Sequence, residues 1–216
     1  MKVLQIFIGL VVAAFIIFTV VVGFSVGNVD SIVKQSIEST NSELTQVNFM
    51  VQNVEIDLKN GKGALHTMQL ANPLGFSDEL LLSDGKIDIT LDVSSAKKRV
   101  KVIKQLDVSQ LAIRHEINGQ GESSIEQLLN NIAQPHLEHA VQEQVTELPK
   151  KPVFLMIETL NVAPTNVTIV TGSDSRTVTM PAYTETNIGA TDAGLSPEQL
   201  AKALFDSVLI RAISTN

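Results

Sequence analysis

From Val3 to Val26 the chain carries no charge, and its only polar side chains there are Gln5, Thr19 and Ser25. As a helix, these roughly two dozen residues span about 36 Å, enough to cross a hydrocarbon layer of about 30 Å with some tilt. Lys2 precedes the segment and Asp30 is the next charge, an asymmetry that keeps the N-terminus on the cytoplasmic side. A cleaved secretory signal is the rival reading. Its apolar core runs to only about 7–15 residues before a small-x-small cleavage site. The stretch here is longer, and Ser25-Val26-Gly27 is a weak site. The expectation is an uncleaved anchor over 1–27.

The sequence holds 16 Lys+Arg against 23 Asp+Glu, a net charge of −7. That balance argues against a nucleic-acid partner. No cysteine is present, so neither a disulfide framework nor thiolate chemistry is available.

Beyond the anchor, Val29, Ile32, Val33 and Ile37 recur at helical spacing, which predicts a juxtamembrane helix over 28–46. From Val47 the period becomes two. Val47, Phe49 and Val51 alternate, and then the phase slips by one at Gln52-Asn53 before Val54, Ile56 and Leu58 continue. Asn60-Gly61-Lys62-Gly63 has hairpin chemistry, and Leu65 to Leu70 forms the return strand. Ile87, Ile89, Leu91 and Val93, set against Asp88, Thr90 and Asp92, make the clearest half-buried strand. Further strand runs cover Val100 to Ile113, Val153 to Ile157, Val167 to Val170 and Thr177 to Met180. Ser124 is expected to cap a short helix carrying Ile125, Leu128, Leu129 and Ile132. Residues His136 to Leu148 are expected to be helical. Ser196-Pro197-Glu198 opens a last helix lined by Leu200, Ala203, Leu204, Val208 and Ile213. The expected fold is α+β and β-rich: the transmembrane helix, then a mainly antiparallel, curved amphipathic sheet with a few short helices.

Chemistry is sparse. His136 and His139 lack a third ligand, so no metal is expected, and no nucleophile motif or phosphate loop is present. The expectation is a non-enzyme without catalytic residues or cofactor. One feature runs against the overall charge: Lys97, Lys98, Arg99, Lys101 and Lys104. It suits anionic head groups or an acidic partner; equally, Lys on a strand edge discourages aggregation. Val54, Ile56, Leu58, Ile87, Ile89 and Leu91 form either an ordinary core or an open, lipid-facing groove, and alternation reads the same in both.

The stretch "VEIDLKNGKGALHTMQLANPLGFSDELLLSDGKIDITLDV" resembles the N-terminal unit of AsmA-like proteins, through Gly61, Gly63, Leu70, Asn72-Pro73, Gly75-Phe76, Leu82, Gly85 and Ile87. The segment from Val100 to Ile132 resembles that family's following strands, polar loop and short helix. The chain is expected to divide into the anchor over 1–27, the helix over 28–46, a β unit over 47–133 that carries the AsmA-like resemblance, and C-terminal strands with a closing helix over 134–216. It implies a Gram-negative inner-membrane protein with its bulk in the periplasm. It also implies a β-groove that binds or helps transfer phospholipid in outer-membrane biogenesis and envelope lipid homeostasis, with oligomers or envelope proteins as partners. This chain is several times shorter than the family's groove-forming members. The alternative is an envelope scaffold that binds partners and has no lipid site. An open groove predicts lipid that co-purifies after gentle extraction and crosslinks to a photo-reactive residue at Ile89; a closed core predicts neither.

Overall fold

The computed structural model describes residues 34–35, 38, 41–42, 45–57, 59–132, 154–190, 193–196 and 199–200. The expected anchor, Leu58, the run His136 to Leu148 and most of the last helix lie outside the described residues. Among the described residues no helix is long and apolar enough to cross a membrane.

The chain is β-rich, with a curved, mixed sheet and few helices. Its strands are β1 (Phe49–Asp57), β2 (Lys62–Ala71), β3 (Leu80–Leu91), β4 (Val100–Ser109), β5 (Ala112–Ile117), β6 (Phe154–Val162), β7 (Thr165–Thr171), β8 (Asp174–Met180) and β9 (Tyr183–Ile188). A 3-10 turn, Val93–Lys97, joins β3 to β4, and a helix, α1 (Ser124–Ile132), follows β5. Residues 34–35, 38, 41–42 and 45 are helical, consistent with the helix expected ahead of the sheet.

The nine segments lie along fewer lines than their number suggests. β4 and β5 pair with β3 in one unbroken antiparallel register, from Ile89↔Leu106 to Leu82↔Ile113. β6 and β7 run parallel to them at a constant offset, from Val100↔Phe154 to Ile117↔Thr171. β8 and β9 return antiparallel, again in one register, from Thr171↔Asp174 to Ile157↔Ile188. The order is therefore β1, β2, β3, β4–β5, β6–β7, β9–β8. The sheet is mainly antiparallel, as expected, but mixed: one neighbour relation, β4–β5 with β6–β7, is parallel. A parallel step needs a crossover rather than a hairpin, and the chain between β5 and β6 supplies it, carrying α1. β9 lies where no strand was expected.

Each line bends where it crosses one transverse crease. Buried side chains alternate on both sides of the crease and slip by one position at it. In β1 Phe49 and Val51 give way to Val54; in β2 Leu65 gives way to Met68 and Leu70; along β4–β5 Leu106 and Val108 give way to Leu111 and Ile113. At the crease Thr67, Asp84 and Gln110 take left-handed backbone, with φ of 53°, 60° and 57°. Thr67 stands opposite Gln52, so the slip falls where the sequence placed it. Gln110 stands opposite Gly85 in the β3 register. The next two lines break at Pro164 and Pro181, which sit between the Val162↔Tyr183 and Thr165↔Met180 pairs. Proline has no N–H for the ladder, so both breaks fall together. An irregular residue bends a strand, and the one-residue slip returns the next apolar side chains to the same face.

That face is the core. Leu70, Leu81, Leu82, Ile87, Ile103 and Leu106 are fully buried, together with Ile125 and Leu128 of α1. Ser124, expected as the cap of α1, is its first residue. Ser123 Oγ accepts from Glu126 N at 3.2 Å instead, and Ser124 Oγ accepts from Glu116 N at 3.0 Å. At the last helix the expected start stands: Ser196 Oγ accepts from Gln199 N, and Gln199 Oε1 accepts from Ser196 N, a reciprocal capping box.

Two substitutions of opposite sign test this backbone. Thr67→Gly relieves a β-branched residue of left-handed backbone and is expected to stabilise the fold by about 1 kcal/mol. Gly61→Ala forces a Cβ to within 2.9 Å of the Leu91 carbonyl oxygen at φ +64° and is expected to destabilise it by about 1–3 kcal/mol. Thermal melts of the two variants should move in opposite directions; parallel shifts would contradict the assigned geometry.

Candidate functional site

Three surfaces carry the residues singled out by the sequence: the apolar sheet face, the sheet edges and the basic end.

The apolar face is covered. Val54, Ile87 and Ile89 are 5%, 1% and 5% exposed; Ile56 and Leu91 are half-buried against them, and Leu58 lies outside the described residues. α1 lays Ile125 and Leu128 on the core, and Leu200 at the start of the last helix is also buried. Asn131 Nδ2 of α1 donates to the Thr45 carbonyl at 2.8 Å. This bond ties α1 to the helical residues ahead of β1, where Asn41 and Thr45 are themselves buried.

The two sheet edges differ. Along β1 the preceding helical residues bond the outward backbone. Phe49 N donates to Ser42 Oγ at 3.0 Å and Val51 N to Glu38 Oε1 at 2.8 Å, while Lys34 Nζ donates to the Gln52 carbonyl at 3.1 Å. Among the described residues the far edge has no such cover. β8 pairs with β7 alone, and every residue from Asp174 to Thr179 is exposed, Val178 at 44%. Beside this edge lies a shallow cavity of about 260 Å³, lined by Ile169, Thr171, Asp174, Ser175 and Arg176.

The basic residues gather at one end of the sheet. Lys97 closes the 3-10 turn. Lys98, Arg99 and Lys104 are exposed; the Arg99 guanidinium lies 4.7 Å from the centroid of the Phe154 ring. Lys101 Nζ folds back onto the Ala96 and Lys98 carbonyls, and Lys104 Nζ reaches Asp92 at 4.0 Å. Asp92 caps the turn by accepting from Ser94 N, and that hydroxyl and amide pair holds its carboxyl below the usual range despite some desolvation.

One buried polar knot escaped the sequence reading. Glu116 is 7% exposed and accepts from Ser77 N at 3.0 Å, Ser77 Oγ at 2.5 Å and Arg114 Nε at 2.6 Å. It pins the Asn72–Glu79 loop to β5 at the end opposite the basic residues. Burial pushes this carboxyl up, but the Ser77 hydrogen bonds and the Arg114 charge outweigh it and leave it below the usual range. Alternation alone carries no signal for a contact between residues 39 apart in sequence. The same loop exposes Leu74 at 97%. Of the histidines, His66 lies 3.8 Å from Glu55, and burial lowers His115 below its ordinary value. His136 and His139 lie outside the described residues. Among the described residues no group of three His, Asp or Glu side chains is placed to hold a metal.

No family model, curated protein or solved structure matches this chain.

Glu116 supports a pH prediction. A carboxyl whose folded pKa is lowered adds stability above its unfolded pKa, near 4.5, and loses it as pH falls through the folded value. Glu116→Gln is expected to cost about 1.5–3 kcal/mol near neutrality. Denaturant titrations of both proteins should converge below pH ~4. A gap that persists in acid would mean that Glu116 acts through packing alone.

Proposed function

We propose that this chain is a membrane-anchored, non-catalytic module of the bacterial envelope that holds a partner protein at the β8 edge. The anchor is the Val3–Val26 segment, and the bulk stands on the periplasmic side of the inner membrane, as the AsmA-like resemblance implies. The observation that carries this reading is the asymmetry of the two edges. At β1 the outward backbone groups are taken up by Ser42, Glu38 and Lys34; at β8 no described residue takes them up. An unpaired strand edge offers main-chain hydrogen bonds to an extended segment, and a neighbouring cavity supplies side-chain selectivity. The cavity at Ile169, Asp174 and Arg176 stands in that position. Arg176 and Asp174 keep the edge charged, and the nearby Pro181 offers no N–H, which together protect it from indiscriminate pairing.

Conduction of phospholipid along the sheet is less well supported. It needs an open apolar face, and Ile87, Ile89 and Leu106 are buried in the core cluster that also holds Ile125 and Leu128 of α1. A lipid path would require that cover to move.

Photo-crosslinking in cells separates the two readings. A photo-reactive residue at Thr177 is expected to yield a discrete protein adduct, and one at Ile89 no lipid adduct. Thr177→Pro removes an amide from an edge strand, where proline is tolerated; in a chain labelled at Val178 it should abolish the protein adduct while leaving the melting temperature nearly unchanged. Lipid adducts from Ile89 with no protein adduct from Thr177 would reverse the assignment.

A further inference from the structure

The fold adds cations that the sequence run does not include. The β1–β2 turn lies against the β3–β4 link: Leu91 N donates to the Gly61 carbonyl at 2.7 Å, and a Cβ at Gly61 would lie 2.7 Å from Val93 Cγ2. Lys59 and Lys62, both exposed, therefore join Lys98, Arg99, Lys101 and Lys104 at one end of the sheet. Among the described residues the acids there are largely engaged. Asp57 is bound by Asn60 through N and Nδ2, and Asp92 by Ser94 and Lys104; Glu158, the exception, is exposed in register with Lys104. At the opposite end Asp78, Glu79, Glu122 and Asp174 are exposed. In a chain of net charge −7 the described residues are thus polarised along the strands, with Arg176 an exposed cation at the acidic end, and the cationic end also exposes Val93 at 50%.

The chain's own path says which way this end faces. From Ser42 back through Glu38 to Lys34, the contacts on β1 move from Phe49 through Val51 to Gln52. They advance toward Asp57 and the cationic end, and the apolar Val3–Val26 segment lies further back in sequence. We infer that the cationic end is a docking surface for an anionic phospholipid bilayer, holding the sheet upright on the membrane with the Leu74 loop pointing away. This rests on the membrane anchorage proposed above. Clustered Lys and Arg are attracted to anionic head groups within about a Debye length, roughly 10 Å at 0.1 M salt, and an exposed valine among them suits the head-group region.

The sequence has no cysteine, so single dyes can be placed on the full-length chain by Val93→Cys or Leu74→Cys. Energy transfer to a head-group acceptor is then read in nanodiscs of phosphatidylcholine with or without about one-third phosphatidylglycerol. With the anionic lipid, transfer from the Val93 site should be strong. It should fall several-fold in pure phosphatidylcholine, in about 1 M salt, where the Debye length is near 3 Å, and in the Lys98→Glu/Arg99→Glu variant. Transfer from the Leu74 site should stay low throughout. The salt arm uses unaltered charges, so misfolding of the charge-reversed variant leaves the test intact. Incorporation into discs with Val93 remote from the head groups, insensitive to lipid charge, or farther away than Leu74 overturns this inference alone. Failure to incorporate into discs overturns the anchorage as well.

Discussion

A bent sheet must keep one face apolar on both sides of its bend, and the rest of this molecule depends on how it does so. With a side-chain period of two, a plain kink leaves the pattern in phase but turns the strands away from their cover. Here every line carries an irregularity at the same level: left-handed backbone at Thr67, Asp84 and Gln110, and paired prolines at 164 and 181. Each left-handed residue costs about 1–2 kcal/mol. The return is one continuous buried surface from Phe49 in β1 to Ile188 in β9, and apolar burial is worth about 25 cal/mol per Å². α1 and the helical residues ahead of β1 have a face to cover only because the slips fall in line.

Part of this was legible in the chain. The slip at Gln52-Asn53 shows as two consecutive polar residues between alternating runs, and the turn at Asn60-Gly61 and the cap at Ser196 follow from local chemistry. What escaped was long-range. Alternation says that a strand has an apolar side, but not which strand lies beside it, so the parallel join of β4–β5 to β6–β7 was invisible. β9, Tyr183-Thr-Glu-Thr-Asn-Ile188, has apolar residues only at its ends. Ser123 and Ser124 are both good caps, and only the demand of the Glu116 amide decides between them. The basic run was legible, whereas the addition of Lys59 and Lys62 depends on Gly61 meeting Leu91 and Val93.

The same asymmetries organise the functional reading. Among the described residues one sheet edge is closed by the chain's own helical residues and one is not; exposed cations gather at one end and exposed acids at the other; one face is buried and one carries polar ladders. On the outward face Asp88 and Asp107 stand directly opposite each other, an unfavourable pairing. Lys86 at 2.7 Å from Asp88 offsets it, as do Gln105 and Asn161, each 2.7 Å from Asp107. That polar face is held in place by hydrogen bonds between its own side chains, leaving the β8 edge and the basic end as the surfaces directed outward.

The buried apolar face, with Ile89 only 5% exposed, is that of a closed core rather than a groove. Thiol reactivity of Ile89→Cys against Leu74→Cys in the full-length chain, with and without added phospholipid, separates the two. In a closed core, modification at position 89 is slower by about three orders of magnitude or more, through rare opening of the fold, and is unchanged by lipid. Reactivity at position 89 comparable to that at 74, suppressed when phospholipid is supplied, would contradict it.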